Sequence, residues 1–258
     1  MVKKIISANY KFMCLSPEEL LDLIAQYADG LELAVDHRKP YELNYLERLV
    51  DTIGDYDLRL QIHGDSELPI AEQRHFLDLL SGYADKIGQI LVTLHPIYDP
   101  DIEESQRLTE EYFRQAVEHV EGTNVKILIE NLNDDMETNQ RRLKLGEIAH
   151  IQEGIPGLDY TYDLGHVIAD GASALEDFAD GIRLKDSIIN AHIHTTIDGL
   201  DHQPFYAGDE NLALTAQVLP YLDHLESVVF EYNLYKCRGE TIKDRIIDYL
   251  QSMKEIDL

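Results

Sequence analysis

Val125-Lys126-Ile127-Leu128-Ile129-Glu130-Asn131 is a short apolar run that stops on an acid and an amide. The same construction recurs along the chain. Leu60-Gln61-Ile62 stops on His63, and Leu91-Val92-Thr93-Leu94 stops on His95. Tyr160-Thr161-Tyr162 stops on Asp163, with His166 three residues on, and Val228-Val229-Phe230 stops on Glu231. Ile188-Ile189-Asn190-Ala191 leads into His192-Ile193-His194. Runs this short and apolar read as buried strands. The full set predicts eight, over Lys4–Ala8, Gly30–Val35, Leu58–His63, Gln89–His95, Val125–Glu130, Leu158–Asp163, Ile188–His194 and Ser227–Glu231.

Stretches of helical period lie between them, among them Glu18–Ala28, Ala71–Asp85, Glu104–Glu121, Arg142–Gln152, Ser173–Gly181, Asn211–His224 and Lys243–Lys254. The first has a clear start. Ser16 stands at the N-cap, Pro17 opens the helix, and Glu18 and Glu19 sit at the positive end of its dipole. Leu20, Leu23, Ile24 and Tyr27 then repeat at i, i+3, i+4, i+7. Strands alternating with helices predict a parallel sheet with right-handed crossovers. Eight such units in 258 residues allow roughly 32 each, the scale of an α/β (β/α)8 barrel of about 250 residues. A doubly wound open sheet is the competing architecture, but no G-x-G-x-x-G turn follows the first strand. No Pro/Gly/Ser-rich linker divides the chain, so residues 1–258 read as one domain.

Charge narrows the function. The chain has 22 Lys+Arg against 49 Asp+Glu, a formal net charge of −27. That argues against nucleic-acid binding, where affinity comes largely from cations neutralising phosphates, and against an anionic membrane surface. Cys14 and Cys237, at opposite ends of the chain, read as free thiols in a reducing compartment, and neither has an activating context. The N-terminal segment turns polar after Ile5-Ile6, without the apolar core of a signal peptide. No stretch approaches the roughly 20 apolar residues of a membrane span. The chain reads as cytoplasmic, and apolar residues on helices leave a homo-oligomer open.

In a barrel, the carboxyl ends of the strands converge on one mouth. Six of the eight strands here bring a His, Asp or Glu to that end. A single such residue is ordinarily a hydrogen-bonded loop residue or a helix cap. A whole set at one end has another logic: buried carboxylates repel and lose solvation, and a divalent cation supplies the missing charge. Mixed Glu, Asp and His suit Zn²⁺, Mn²⁺ or Co²⁺ better than Mg²⁺. His192 and His194 share a strand face; His192 reads as the deeper, core histidine and His194 as the one nearer the mouth.

On these residues the sequence resembles the xylose-isomerase-like barrel superfamily of sugar isomerases, ketose epimerases, inosose dehydratases and endonuclease IV-type nucleases. The resemblance implies metal ligands Glu130, Asp163, His194 and Glu231. It implies Glu130 and Glu231 as catalytic acid and base, and His166 against substrate or a further metal. The segment His202-Gln203-Pro204, followed by Gly208-Asp209, resembles the family's turn after the seventh strand. His63, His95 and His202 match extra histidines that hold further zinc in endonuclease IV. Leu200 stands where that enzyme type has an Asp, and where the epimerases have a substrate-binding Arg.

Basic residues are scarce and follow strand ends: Lys11, Arg38, Lys39, Arg141, Arg142, Lys236 and Arg238. Loops after the last barrel strands often bind phosphate, which makes Lys236 and Arg238 the candidate anion clamp. The leading expectation is a metal-dependent isomerase or epimerase of a small sugar or sugar phosphate. A multi-zinc phosphoester hydrolase and a non-catalytic sugar-binding barrel are the alternatives.

Overall fold

The computed structural model describes residues 2–64, 70–133, 141–169, 184–197, 200–206 and 210–253. Its strands are β1 (Lys3–Ala8), β2 (Gly30–Val35), β3 (Arg59–Gly64), β4 (Ile90–Leu94), β5 (Val125–Glu130), β6 (Asp159–Asp163), β7 (Ile188–Ile193), β8 (Thr195–Ile197), β9 (Leu200–Gln203) and β10 (Ser227–Phe230). Its α-helices are α1 (Pro17–Ile24), α2 (Pro40–Ile53), α3 (Ile70–Ile87), α4 (Ile102–Val120), α5 (Leu145–Glu153), α6 (Leu164–Ala169), α7 (Glu210–Val218) and α8 (Ile242–Ser252).

Eight strands close into a parallel barrel in the order β1-β10-β7-β6-β5-β4-β3-β2. Their ends fall within one residue of those read from the sequence. The antiparallel hairpin of β8 and β9 lies outside the barrel sheet and was not expected. The helices differ more, for local reasons. Residues past Ile24 tighten into i→i+3 bonds, Gln26 N to Leu23 O and Tyr27 N to Ile24 O, which ends α1 early. Pro220, lacking an N–H, sits in the 3₁₀ turn that replaces the end of the expected 211–224 helix. Ser16 and Glu19 form a capping box on α1, and Asp101 caps α4. The helix expected over 173–181 lies outside the described residues. No described helix is long and apolar enough to cross a membrane.

Alternate strand residues face outward or inward. Outward residues such as Ile6, Leu31, Leu33, Ile62, Val92, Ile127 and Ile129 join helix residues such as Leu20, Leu46, Leu49, Leu80 and Phe113 in the main core. Inward residues are partly polar and bond to one another across the barrel. Gln61 Nε2 donates to Ser227 Oγ (2.7 Å), which donates to Asn190 Oδ1 (2.6 Å). Asn190 Nδ2 donates to Thr161 Oγ1 (3.3 Å), 2.9 Å from Thr93 Oγ1. Thr93 Oγ1 donates in turn to Glu32 Oε2 (3.4 Å). This network is the floor on which the strand-end residues stand. From α8, the Tyr249 hydroxyl accepts from Ser7 N (3.0 Å) and bonds the carbonyls of Ser7 and Phe230, tying β1 to β10 at the same end.

Candidate metal centre

The strand ends bring four donor groups together. Glu130 Oε1 and Glu231 Oε2 lie 2.9 and 3.0 Å from His192 Nδ1, and Asp163 Oδ2 lies 3.9 Å from it. These four atoms are buried, and their close polar contacts are with one another, apart from His166 Nδ1 at 3.2 Å from Asp163 Oδ2. Their donor atoms all fall within 4.8 Å of one another. Buried polar atoms are almost always partnered. Four buried donor atoms turned toward one another, three of them carboxylate oxygens, are what a divalent cation satisfies: metal–donor bonds of about 2.0–2.2 Å place donors about 3–3.5 Å apart. The residues present therefore fit a metal.

Three further groups adjoin this one. His63 Nε2 and His95 Nε2 both lie 3.1 Å from Glu130 Oε2, so Glu130 is shared between two candidate sites. Glu32, His63 and His192 form a third, and His166, His194 and His202 a fourth. His166 sits in the first turn of α6; its backbone N–H donates to Asp163 Oδ1 (2.7 Å) and its Nδ1 lies 3.0 Å from the Asn131 carbonyl. The Asn131 side chain bonds both the N–H (2.8 Å) and the carbonyl (2.9 Å) of Asp163.

The sequence reading named His194 with Glu130, Asp163 and Glu231; the structure brings His192 to that group instead. His192 is the last inward position of β7, whereas His194 lies past the strand and packs flat on His202, ring centroids 4.2 Å apart. Hydrogen bonds separate the two rings further. His202 N–H donates to His194 Nδ1 (3.1 Å). With Nδ1 occupied in this way, His194 turns its Nε2 toward Asp163 Oδ1 at 3.4 Å and toward the His166 and His202 group. His202 holds that pose with a φ of 52°, the left-handed region that non-glycine residues seldom adopt. His192 is wired the other way, with Nε2 3.2 Å from Glu32 Oε2 and Nδ1 toward the carboxylates.

Charge in the group is tightly coupled. Burial works to raise the Glu130 carboxyl, but the charge of His192 and hydrogen bonds from His192, His63 and His95 hold it well below the usual carboxylate range. Glu231 behaves alike: burial is outweighed by the charges of His202 and His192. Burial works to lower the histidines, yet the Glu130 hydrogen bond and the charges of Glu130, Glu32 and Glu231 raise His63 to about 9. The charges of Glu32, Glu130 and Glu231 hold His192 well above its ordinary value.

Two features escaped the sequence reading. Glu32, fully buried mid-strand in Gly30-Leu31-Glu32-Leu33, was legible as an acid inside an apolar run. Asn131 was read only as a strand-end amide. Among the basic residues, Arg38 and Lys39 pair with Asp36, and Arg141 pairs with Glu147. Lys236 and Arg238 are exposed, and Arg238 lies over the Tyr206 ring at 4.2 Å. No hydrogen bond or ion pair joins either to the donor groups among the described residues. Leu200 opens β9; Gly208 and Asp209 lie outside the described residues. Both cysteines are free, and burial pushes the Cys237 thiol up to about 12.

Solved structures of the same architecture cover nearly the whole chain. A D-tagatose 3-epimerase-like protein is 18% identical with a TM-score of 0.69, covering 98% of this chain and 99% of its own. 3-keto-D-glucoside 4-epimerase from E. coli is 13% identical with a TM-score of 0.73, covering 99% of each chain. A family 2 AP endonuclease from Brucella melitensis is 17% identical with a TM-score of 0.68, covering 95% of this chain and 96% of its own. Identities this low speak for the fold alone. No curated protein matches the chain. The model of the xylose isomerase-like TIM barrel family matches residues 21–233, most of the barrel and every donor described above, and the chain belongs to that family.

Proposed function

We propose that this protein is a divalent-metal-dependent isomerase or epimerase that moves a proton beside the carbonyl of a small sugar or sugar phosphate. One observation carries the reading: four buried donors converge within 4.8 Å of one another, and two of them are glutamates that can also carry a proton. Glu130, Asp163, His192 and Glu231 would hold Zn²⁺, Mn²⁺ or Co²⁺. When bound, the cation supplies positive charge that polarises a carbonyl and stabilises the enediolate. Glu130 is fully buried and its Oε2 is pinned by His63 and His95, so its orientation is fixed. His95, 34% exposed, offers that carboxylate a proton route outward. The Glu231 side chain is 19% exposed and meets a substrate from the mouth. One glutamate removes the proton and the other returns it. His166, with Nδ1 directed at the Asn131 carbonyl, keeps Nε2 for a substrate hydroxyl. Lys236 and Arg238, beyond β10, would meet a phosphate group.

The test is solvent exchange. Protein loaded with Mn²⁺, Co²⁺ or Zn²⁺ is incubated in D₂O with ketoses, aldoses and their phosphates. Deuterium is expected at the carbon beside the carbonyl, and Glu231→Gln should slow its entry by about 10²–10⁴-fold. A loaded protein that exchanges none of them refutes the reading.

A second reading has its own observation. The sharing of Glu130 by His63 and His95 on one side and His192 on the other suits two adjacent cations, an arrangement used in phosphoester hydrolysis. Two or more metals per chain, with phosphoester cleavage lost in His95→Ala, would favour it. With a net charge of −27, the substrate would be a small phosphoester in preference to duplex DNA.

A further inference from the structure

Glu32 is a buried acid that the proton transfer above does not use. It lies mid-β2 with no solvent exposure, flanked in sequence by Leu31 and Leu33. A buried carboxylate is costly unless it is hydrogen-bonded or paired. Its Oε2 meets Thr93 Oγ1 at 3.4 Å and His192 Nε2 at 3.2 Å. Thr93 is anchored in turn through Thr161, Asn190, Ser227 and Gln61, so Glu32 is held from behind by the barrel floor.

A neutral imidazole has one N–H and one lone pair, and the partner of one nitrogen decides which is which. We propose that Glu32 is the positioning residue of the metal centre: it keeps the His192 proton on Nε2 and so turns the Nδ1 lone pair toward Glu130, Asp163 and Glu231. A carboxylate behind a ligating histidine fixes its tautomer and ring orientation and makes it a stronger donor. The inference rests on the metal reading above. One other arrangement competes, because Glu32, His63 and His192 also place three donor atoms within 4.8 Å. A cation there would take Nε2 of His192. The structure favours the first arrangement, because Nε2 already faces Glu32 while Nδ1 points at the converging Glu130 and Glu231 carboxylates, 2.9 and 3.0 Å away.

The test uses the full chain loaded with Zn²⁺ and labelled with ¹⁵N-histidine. Two-bond ¹H–¹⁵N correlations of His192, identified by their loss in His192→Gln, should show a protonated Nε2 and a metal-bound Nδ1. A protonated Nδ1, or zinc on Nε2, overturns the proposal without any substitution at Glu32. Glu32→Gln should then weaken Zn²⁺ binding by about 10–100-fold in chelator competition. It should also speed exchange of the Nε2 proton with water. Glu32→Asp, which keeps the charge, should restore part of the affinity. Thr93→Val, which disturbs the same floor but leaves Glu32 in place, should change affinity less than about threefold, below the range for direct orienting partners. Unchanged zinc affinity in Glu32→Gln overturns the proposal. Uptake of no Zn²⁺ by the wild-type chain overturns it together with the metal reading. These readouts concern binding and tautomer alone, so the proposal can fail while proton exchange succeeds, and the reverse.

Discussion

Metal uptake should expel protons, in a number that counts the occupied sites. With no cation bound, histidine protons balance the buried carboxylates. His63 is raised to about 9 by Glu130, Glu32 and Glu231, so at pH 7 it is mostly protonated. His192 is also held in the charged form by Glu32, Glu130 and Glu231, whose charges raise it against burial. A ligating imidazole must be neutral. One Zn²⁺ among Glu130, Asp163, His192 and Glu231 therefore releases about one proton at pH 7. A second, among His63, His95 and Glu130, releases about one more. Affinity should rise about tenfold per pH unit for each proton displaced, up to the pKa of the group concerned. Calorimetry in buffers of different ionisation enthalpy reads the proton count directly. Stability follows the same linkage. The folded pKa of His63 lies above its unfolded value of about 6.5, so its contribution is complete below that pH and is lost as pH rises toward about 9. Glu130 and Glu231, depressed in the fold, contribute above the ordinary carboxylate range and lose that contribution in acid. Metal-free protein should thus melt highest near pH 5–6.5 and progressively lower toward pH 9, while the zinc form should not show the alkaline fall. Zinc binding with no proton release at pH 7, and an affinity flat from pH 6 to 8, would refute this account of the site.

Two substitutions probe the frame around the candidate metal centre. A methyl added at Gly165 would overlap the buried His194 ring, so Gly165→Ala should shift the His194 and His202 ring resonances. It should cost about 1–3 kcal/mol from overpacking, partly offset by alanine's helix propensity of about 1 kcal/mol. Unmoved rings would show that the helix yields instead. Tyr249→Phe strips one hydroxyl from Ser7 N, Ser7 O and Phe230 O and should destabilise by about 1–3 kcal/mol. The loss should appear as a melting temperature lower by about 2–4 °C per kcal/mol; an unchanged melt would mean that β1 and β10 do not depend on that tie.

The barrel was legible because its signals are local. Each strand is a short apolar run with a marked end, and the capping boxes and prolines state where helices begin. The hairpin after β7 was not legible, because Thr195–Ile197 and Leu200–Gln203 are too short to carry a period. The mouth was legible as a list of residue types, since convergence follows from the architecture once the strand ends are known. The proposed anion clamp is different in kind: Lys236 and Arg238 follow the last barrel strand as read and are exposed, Arg238 over the Tyr206 ring, and only a bound substrate would bring a phosphate to them.

The choice between His192 and His194 shows where sequence reasoning stops. Spacing puts both rings on one face, and the residue nearer the strand end looks like the better ligand. What separates them is which ring nitrogen is left free to face a cation. For His192 the ring hydrogen is drawn to Nε2 by Glu32, 160 positions away in sequence on the far side of the closed barrel. For His194 the lone pair on Nδ1 is taken by a backbone N–H, delivered by a left-handed residue in a hairpin that has no sequence signature. Neither partner is a feature of the His-x-His motif. A metal centre of this kind is thus specified twice: once by the donors, which a sequence displays, and once by the groups that decide which donor lone pairs are free, which only the closed barrel brings into place.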